Sequence, residues 1–287
     1  MHEIHESFRE EFKSLWEPES PVRSLWQCLE GLYLGLKERA QNQANKLTGY
    51  RNVEELERDA LTSALPMEKL SVEWVNILWN RIILRTQLKV RDSLQLLFYS
   101  SNTGNVYGYT LASRSIVEHV ALLEYLATIT PWRDGPEVPK EKAIEFMKQL
   151  QRLALGSNFD WDKLMKHPGS MRRMLSSGTW KRPREERIPQ ITTLVRALDE
   201  ELFRQKRLVS KEQMSFIYSC LCDVVHPSWG GDFIYSPKMY TTLKCSQEFS
   251  HHIKLSATLF LLPVVELVRH LILLCDTLEK NELRTMS

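Results

Sequence analysis

The chain has 287 residues, 43% of them hydrophobic and 26% charged, with no low-complexity tract. That composition supplies a full core and excludes a long disordered or fibrous architecture. The formal net charge of +2 is too small to mark a nucleic-acid binder by itself, so any basic footprint must be local.

The N-terminal stretch MHEIHESFREEFKSLW lacks the apolar run of a signal peptide. Within it Ile4, Phe8, Phe12 and Leu15 follow the spacing of a first amphipathic helix. Ser20 and Pro21 read as an N-cap and a proline at the first helical position. The helix that follows sets Leu25, Trp26, Leu29, Tyr33 and Leu36 on one side, and Gly49 is its stop signal. Asn52 caps a short helix expected to run to about Leu65, and Ser71 opens a long one to about Tyr99. SNTGN at 101–105 is a turn, and a helix from about Tyr107 to Ile129 follows. PWRDGPEVP breaks the pattern before a helix over about Lys140 to Leu155.

Residues from about Ser157 to Pro189 are the least regular part of the chain. Two helices are expected beyond them, from Pro189 to about Leu208 and from Ser210 to about Val225, the second opened by a Ser210–Gln213 capping box. A loop then leads to LSATLFLLPVVELVRHLILLCDTL, the most hydrophobic segment. Glu266, Arg269 and His270 fall in its middle and would cost several kcal/mol in lipid. It therefore reads as a core helix, bent near Pro263, in a protein with no membrane partner. No segment argues for a sheet, although GGDFIYS admits a short extended piece, and no internal repeat is present. An all-α multi-helix bundle with more than about 60% helix is expected.

The five cysteines, Cys28, Cys220, Cys222, Cys245 and Cys275, are odd in number and show no paired spacing. A reducing, cytoplasmic setting accounts for that. Cys220 and Cys222 point about 200° apart on a helix, which argues against a zinc site. His251 and His252 are adjacent and face different directions, so no metal pair is expected there either. The phosphate-loop, dinucleotide-fold, HExxH and GxSxG motifs are all absent from the sequence, which disfavours the enzymes built on them.

Two constellations place ionisable residues inside apolar helical patterns, where burying charge is costly. In TLASRSIVEHVALLEYLA, Arg114 and Glu118 are one turn apart and share a face. They form either a structural ion pair or part of a ligand-binding face. His119 lies about 140° round the helix from Arg114. In YSCLCDVVHPSWGGD, His226 precedes Pro227, which pushes it out of helical geometry at a helix C-terminus. The helix dipole there favours its protonated form, and with Asp223 it suits a general acid/base or a simple C-cap.

An arginine followed after about four to six residues by a histidine resembles the signature of the HEPN superfamily (higher eukaryotes and prokaryotes nucleotide-binding). RSIVEH fits that spacing at Arg114 and His119. A late helix ending in VHPS resembles helical families of the same kind and makes His226 the better match for the HEPN histidine. The residues before it, Ser219, Cys220, Leu221 and Cys222, include no arginine, so Arg114 would have to supply it from another helix. The likeness covers about Tyr107 to Tyr235. Such proteins are compact, often dimeric helical bundles. Many are metal-independent ribonucleases of toxin–antitoxin and phage-defence systems, and others bind nucleotides or are inactive.

The resemblance implies one helical domain over residues 1–287, with N-terminal helices in 1–66 and a HEPN-like core in 67–287 interrupted by a basic insertion at about 157–189. It implies RNA cleavage or RNA binding in a prokaryotic defence or toxin–antitoxin setting, by a homodimer, with no metal or cofactor. In that chemistry a 2′-hydroxyl attacks the adjacent phosphate, His226 or His119 moves the proton, and Arg114, beside Glu118, stabilises the developing charge. The insertion carries Lys163, Lys166, Arg172, Arg173, Lys181, Arg182, Arg184 and Arg187 between Trp161 and Trp180 and beyond. Arg172, Arg173, Lys181, Arg182 and Arg184 suit a backbone-tracking surface for single-stranded nucleic acid, or else a solvated loop. The competing reading of the whole chain is a non-catalytic helical interaction protein, in which Arg114–Glu118 is structural.

Overall fold

The computed structural model describes residues 21–50, 71–102, 105–133, 135, 137–155, 189–225, 261–280 and 283–286. Seven helices occupy 84% of these residues. They are α1 (Pro21–Thr48), α2 (Val72–Asn102), α3 (Val106–Ile129), α4 (Lys140–Leu155), α5 (Ile191–Arg204), α6 (Gln213–Val225) and α7 (Leu262–Lys280). The all-α expectation holds. Its one departure among the described residues is a two-residue parallel pairing of β1 (Glu137–Val138) with β2 (Thr285–Met286). No helix in this set is long and apolar enough to cross a membrane. The expected helices at Ile4–Leu15 and Asn52–Leu65, and GGDFIYS, lie outside the described residues. So do the residues before Leu261, on one side of the bend expected near Pro263.

The described residues group into two compact units, one of those within 1–44, 83–125 and 191–278, the other of those within 45–82, 126–190 and 279–287.

In the first unit α1 buries Trp26, Leu29, Tyr33, Leu36, Ala40 and Gln43, an alternation of three and four residues that keeps one seam inward. Phe98 of α2 fills that seam, with its ring centroid 5.6 Å from Trp26 and 6.0 Å from Tyr33. Gln95 Nε2 donates to the Tyr33 hydroxyl at 2.9 Å. Arg39 pairs with Asp276 of α7. α2 and α3 form a tight antiparallel hairpin. Asn105 caps α3 by accepting from the Gly108 N–H at 2.9 Å, and its own N–H donates to the Ser100 carbonyl at 2.8 Å. A side chain at Gly108 would collide with the Ser100 hydroxyl, so glycine is required by close approach. Seven residues back along α2 and seven forward along α3, the Ser93 and Ser115 hydroxyls hydrogen-bond at 2.9 Å.

α5 and α6 depart from their expected limits for identifiable reasons. α5 stops at Arg204 because Lys206 turns left-handed at φ 57°. The Lys206 N–H then bonds the Phe203 carbonyl and the Arg207 N–H bonds the Leu202 carbonyl, both at 2.9 Å. This is a Schellman ending without its usual glycine, so the residue types gave no stop signal. α6 begins at Gln213, and the Ser210–Gln213 capping box does not form: the Gln213 side chain accepts from the Val209 N–H at 3.1 Å instead. The cap comes from a distance. Asp199, 1% exposed, accepts from the Met214 N–H at 2.6 Å, the Ser215 N–H at 2.8 Å and the Ser215 hydroxyl at 2.6 Å.

In the second unit Ser71 caps α2 by accepting from the Trp74 N–H at 3.2 Å. Trp79, Trp132 and Phe146 form an edge-to-face aromatic cluster with centroids 5.0–5.9 Å apart. Asn76 bonds both backbone groups of Leu283, accepting at 3.2 Å and donating at 2.9 Å, beside the β1–β2 pairing.

Candidate functional site

α3 carries polar residues on three of its faces, and each face meets a different helix of the first unit. Towards α6, Arg114 Nε donates to Glu118 Oε1 at 2.8 Å, the expected one-turn pair. The same carboxylate oxygen accepts from the Tyr218 hydroxyl at 2.8 Å, and the guanidinium carbon sits 5.5 Å from the Tyr218 ring centroid. Burial alone lowers the Arg114 pKa, but the hydrogen bond and charge of Glu118 outweigh it and raise the pKa overall. Cys222, one turn beyond Tyr218, is also within electrostatic reach of Arg114. Burial, then the bond to Glu118, pushes the Tyr218 hydroxyl pKa far above its ordinary range, which keeps it protonated as a donor. The side chains of Arg114 and Glu118 are 21% and 31% exposed, so the pair is half-buried.

Towards α2, His119 Nδ1 lies 2.7 Å from the Ser115 carbonyl and 3.4 Å from the Ser115 hydroxyl. A carbonyl only accepts, so Nδ1 carries the proton and Nε2 presents a lone pair. Burial pushes the imidazole pKa below its usual value. Arg85 and Lys89 of α2 act in the same direction, while the Ser115 carbonyl and Glu118 oppose them. His119 is therefore a neutral base near pH 7. It and Arg114 engage different helices, so the Arg114–His119 spacing does not bring the two side chains onto one face.

Towards α7, Glu124 and His270 meet at 2.6 Å, with exposures of 5% and 3%. Glu266 and Arg269 instead pair with each other at 2.7 Å on the outer side of α7, and Arg269 Nη2 also lies 3.0 Å from Cys28 Sγ.

Of the residues singled out in the sequence, Arg114 and Glu118 are together and His119 stands apart from them. His226, and Arg172, Arg173, Lys181, Arg182 and Arg184, lie outside the described residues. Sequence reasoning missed Tyr218 and the Glu124–His270 pair. Tyr218 reads as one more apolar position of α6, and Glu124 as a polar break in an apolar run. Among the described residues no group of three His, Cys, Asp or Glu side chains could hold a metal ion. Comparison of the chain with protein-family models, with curated proteins and with solved structures gives no match.

Proposed function

We propose that this chain is a HEPN-like RNA-cleaving or RNA-binding protein of a prokaryotic defence or toxin–antitoxin system, acting as a cytoplasmic homodimer. One observation supports it above the rest. Arg114 lies against α6, over Tyr218 and within reach of Cys222, and the residue four positions after Cys222 is His226. The arginine missing from the residues just before His226 in the sequence is thus offered by α3, which sets Arg114 against α6.

In the reaction, the O2′–P bond forms and the P–O5′ bond breaks. His226 takes the 2′ proton, the 5′ oxygen leaves with a proton from water, and the Arg114 guanidinium stabilises the phosphorane oxygens. Glu118 and Tyr218 hold the guanidinium in place. The basic residues Arg172, Arg173, Lys181, Arg182 and Arg184 track the strand. Cleavage of mixed RNA substrates by the wild type, abolished in Arg114→Ala and lowered about 10²–10⁴-fold in His226→Ala with the fold retained, is the expected result. Absence of cleavage by the wild type on every substrate would overturn the catalytic part.

A second reading has its own observation. Glu118 already accepts from both Arg114 and Tyr218, a network of the kind that pins two helices together. In that reading the protein is a non-catalytic helical interaction module, and Arg114→Ala changes stability alone.

A further inference from the structure

The face of α3 turned towards α2 carries a second arrangement that RNA cleavage at Arg114 does not use. The Ser93–Ser115 contact fixes the register of the antiparallel α2–α3 hairpin. Stepping one turn back along α2 and one turn forward along α3 sets Lys89 opposite His119, and Arg85 lies one turn further along α2 on the same face. The polar groups are continuous across the hairpin. Ser93 bonds the Lys89 carbonyl at 2.8 Å and Ser115 at 2.9 Å, and Ser115 holds His119 Nδ1 through its carbonyl at 2.7 Å. Among the described residues no hydrogen bond engages His119 Nε2. Arg85 and Lys89 are both exposed, although burial of part of the Arg85 side chain lowers its pKa and Arg85 also has contacts of its own.

We infer that Arg85, Lys89 and His119 form a phosphate-binding site on the α2–α3 hairpin, taking either a terminal phosphate group or one within an RNA strand. Two exposed cations one turn apart supply charge-assisted donors to the phosphate oxygens. The imidazole, with its tautomer set by Ser115, supplies a third donor at Nε2 once it takes up a proton. The charged groups acting on the imidazole are Arg85 and Lys89 from α2 and Glu118 from its own helix. Arg85 and Lys89 disfavour the protonated ring while the site is empty, and a bound phosphate reverses that influence. Binding and protonation are then linked: phosphate raises the His119 pKa, and affinity rises as pH falls.

The test is independent of cleavage. The His119 ring resonance, assigned with His119→Gln, is titrated with pH at constant ionic strength. One arm has inorganic phosphate, another an oligouridylate without terminal phosphates, and a control arm has chloride alone. The expected result is a rise in the His119 pKa in at least one phosphate-bearing arm and none in the control. A response to inorganic phosphate alone assigns a terminal phosphate, and a response to the oligonucleotide assigns an internal one. Lys89→Gln and Arg85→Gln, each on an exposed helix position, should weaken binding about tenfold or more, as expected for loss of a charge-assisted hydrogen bond. Lys37→Gln on the exposed side of α1 should leave it unchanged. No pKa response to either probe, or a response that survives in the Arg85→Gln/Lys89→Gln double variant, overturns the site. Loss of cleavage with this response intact would count against the ribonuclease reading alone.

Discussion

His270 Nε2 and Glu124 Oε2 lie 2.6 Å apart, with both residues almost wholly withdrawn from solvent, and so tie the middle of α7 to α3. A buried pair of this kind is costly to break from one side, because the residue left behind keeps its desolvation penalty without its partner. Replacing either His270 or Glu124 by Ala should cost about 3–5 kcal/mol. The Glu124→Gln/His270→Leu double variant should be less destabilised than the sum of its single changes. Chemical denaturation of all four species checks this, and simple additivity would show that the pair is not coupled.

Asp199 is the cap of α6 although it belongs to α5. Asp199→Ala removes the acceptor for two backbone N–H groups and the Ser215 hydroxyl. A loss of about 2 kcal/mol is expected, measured by thermal denaturation, because Met214 is buried and cannot turn to water instead. Ser210→Ala, by contrast, should change stability by less than about 0.5 kcal/mol, since the local capping box is not formed. Equal losses at the two positions would contradict the tertiary cap.

The lowered pKa of His119 sets the sign of a pH effect. Between that lowered value and the ordinary one of about 6.5, the unfolded chain binds a proton here that the folded chain does not. The unfolded state therefore gains as pH falls through this window, and stability declines. Melting temperature measured from pH 7.5 down to pH 5 should fall less steeply in His119→Gln than in the wild type. A steeper fall in the variant would reverse the sign of the inference.

Arg114→Ala separates the catalytic and structural readings. The pair with Glu118 is half-buried and Tyr218 stays behind to hold the carboxylate, so the stability loss should be about 1–2 kcal/mol, below that of a fully buried pair. In the ribonuclease reading the same change abolishes cleavage, and His226→Ala lowers it by about 10²–10⁴-fold with little change in melting temperature. Rates and melting temperatures of both variants, with His119→Ala alongside, decide between them.

Changing Arg172, Arg173, Arg182 and Arg184 together to Glu should weaken RNA binding across all sequences and flatten its salt dependence. Filter binding at several salt concentrations checks this. An unaltered slope would remove that segment from the RNA-binding surface.

The helices could be read from the residues because their signals are local. The apolar seam of α1 repeats along its own length, Pro21 opens that helix, and Ser71 and Gly49 mark ends through bonds spanning one turn. Lys140 and Leu155 bound α4 as their neighbours dictate. The Arg114–Glu118 pair was equally legible, since both residues lie one turn apart on one helix. Nothing local says which side chain from elsewhere will arrive at that face. Tyr218 reaches Glu118 across 100 residues of sequence and His270 reaches Glu124 across 146, while Asp199 displaces a cap that the sequence placed at Ser210. Each of these depends on helix rotation, where one residue turns a side chain by about 100°. That rotation is set only when the apolar faces pack. The sequence therefore determined the helices and their inward sides, and the tertiary structure alone decided which polar groups meet, because buried groups must find partners wherever the packed backbone brings them.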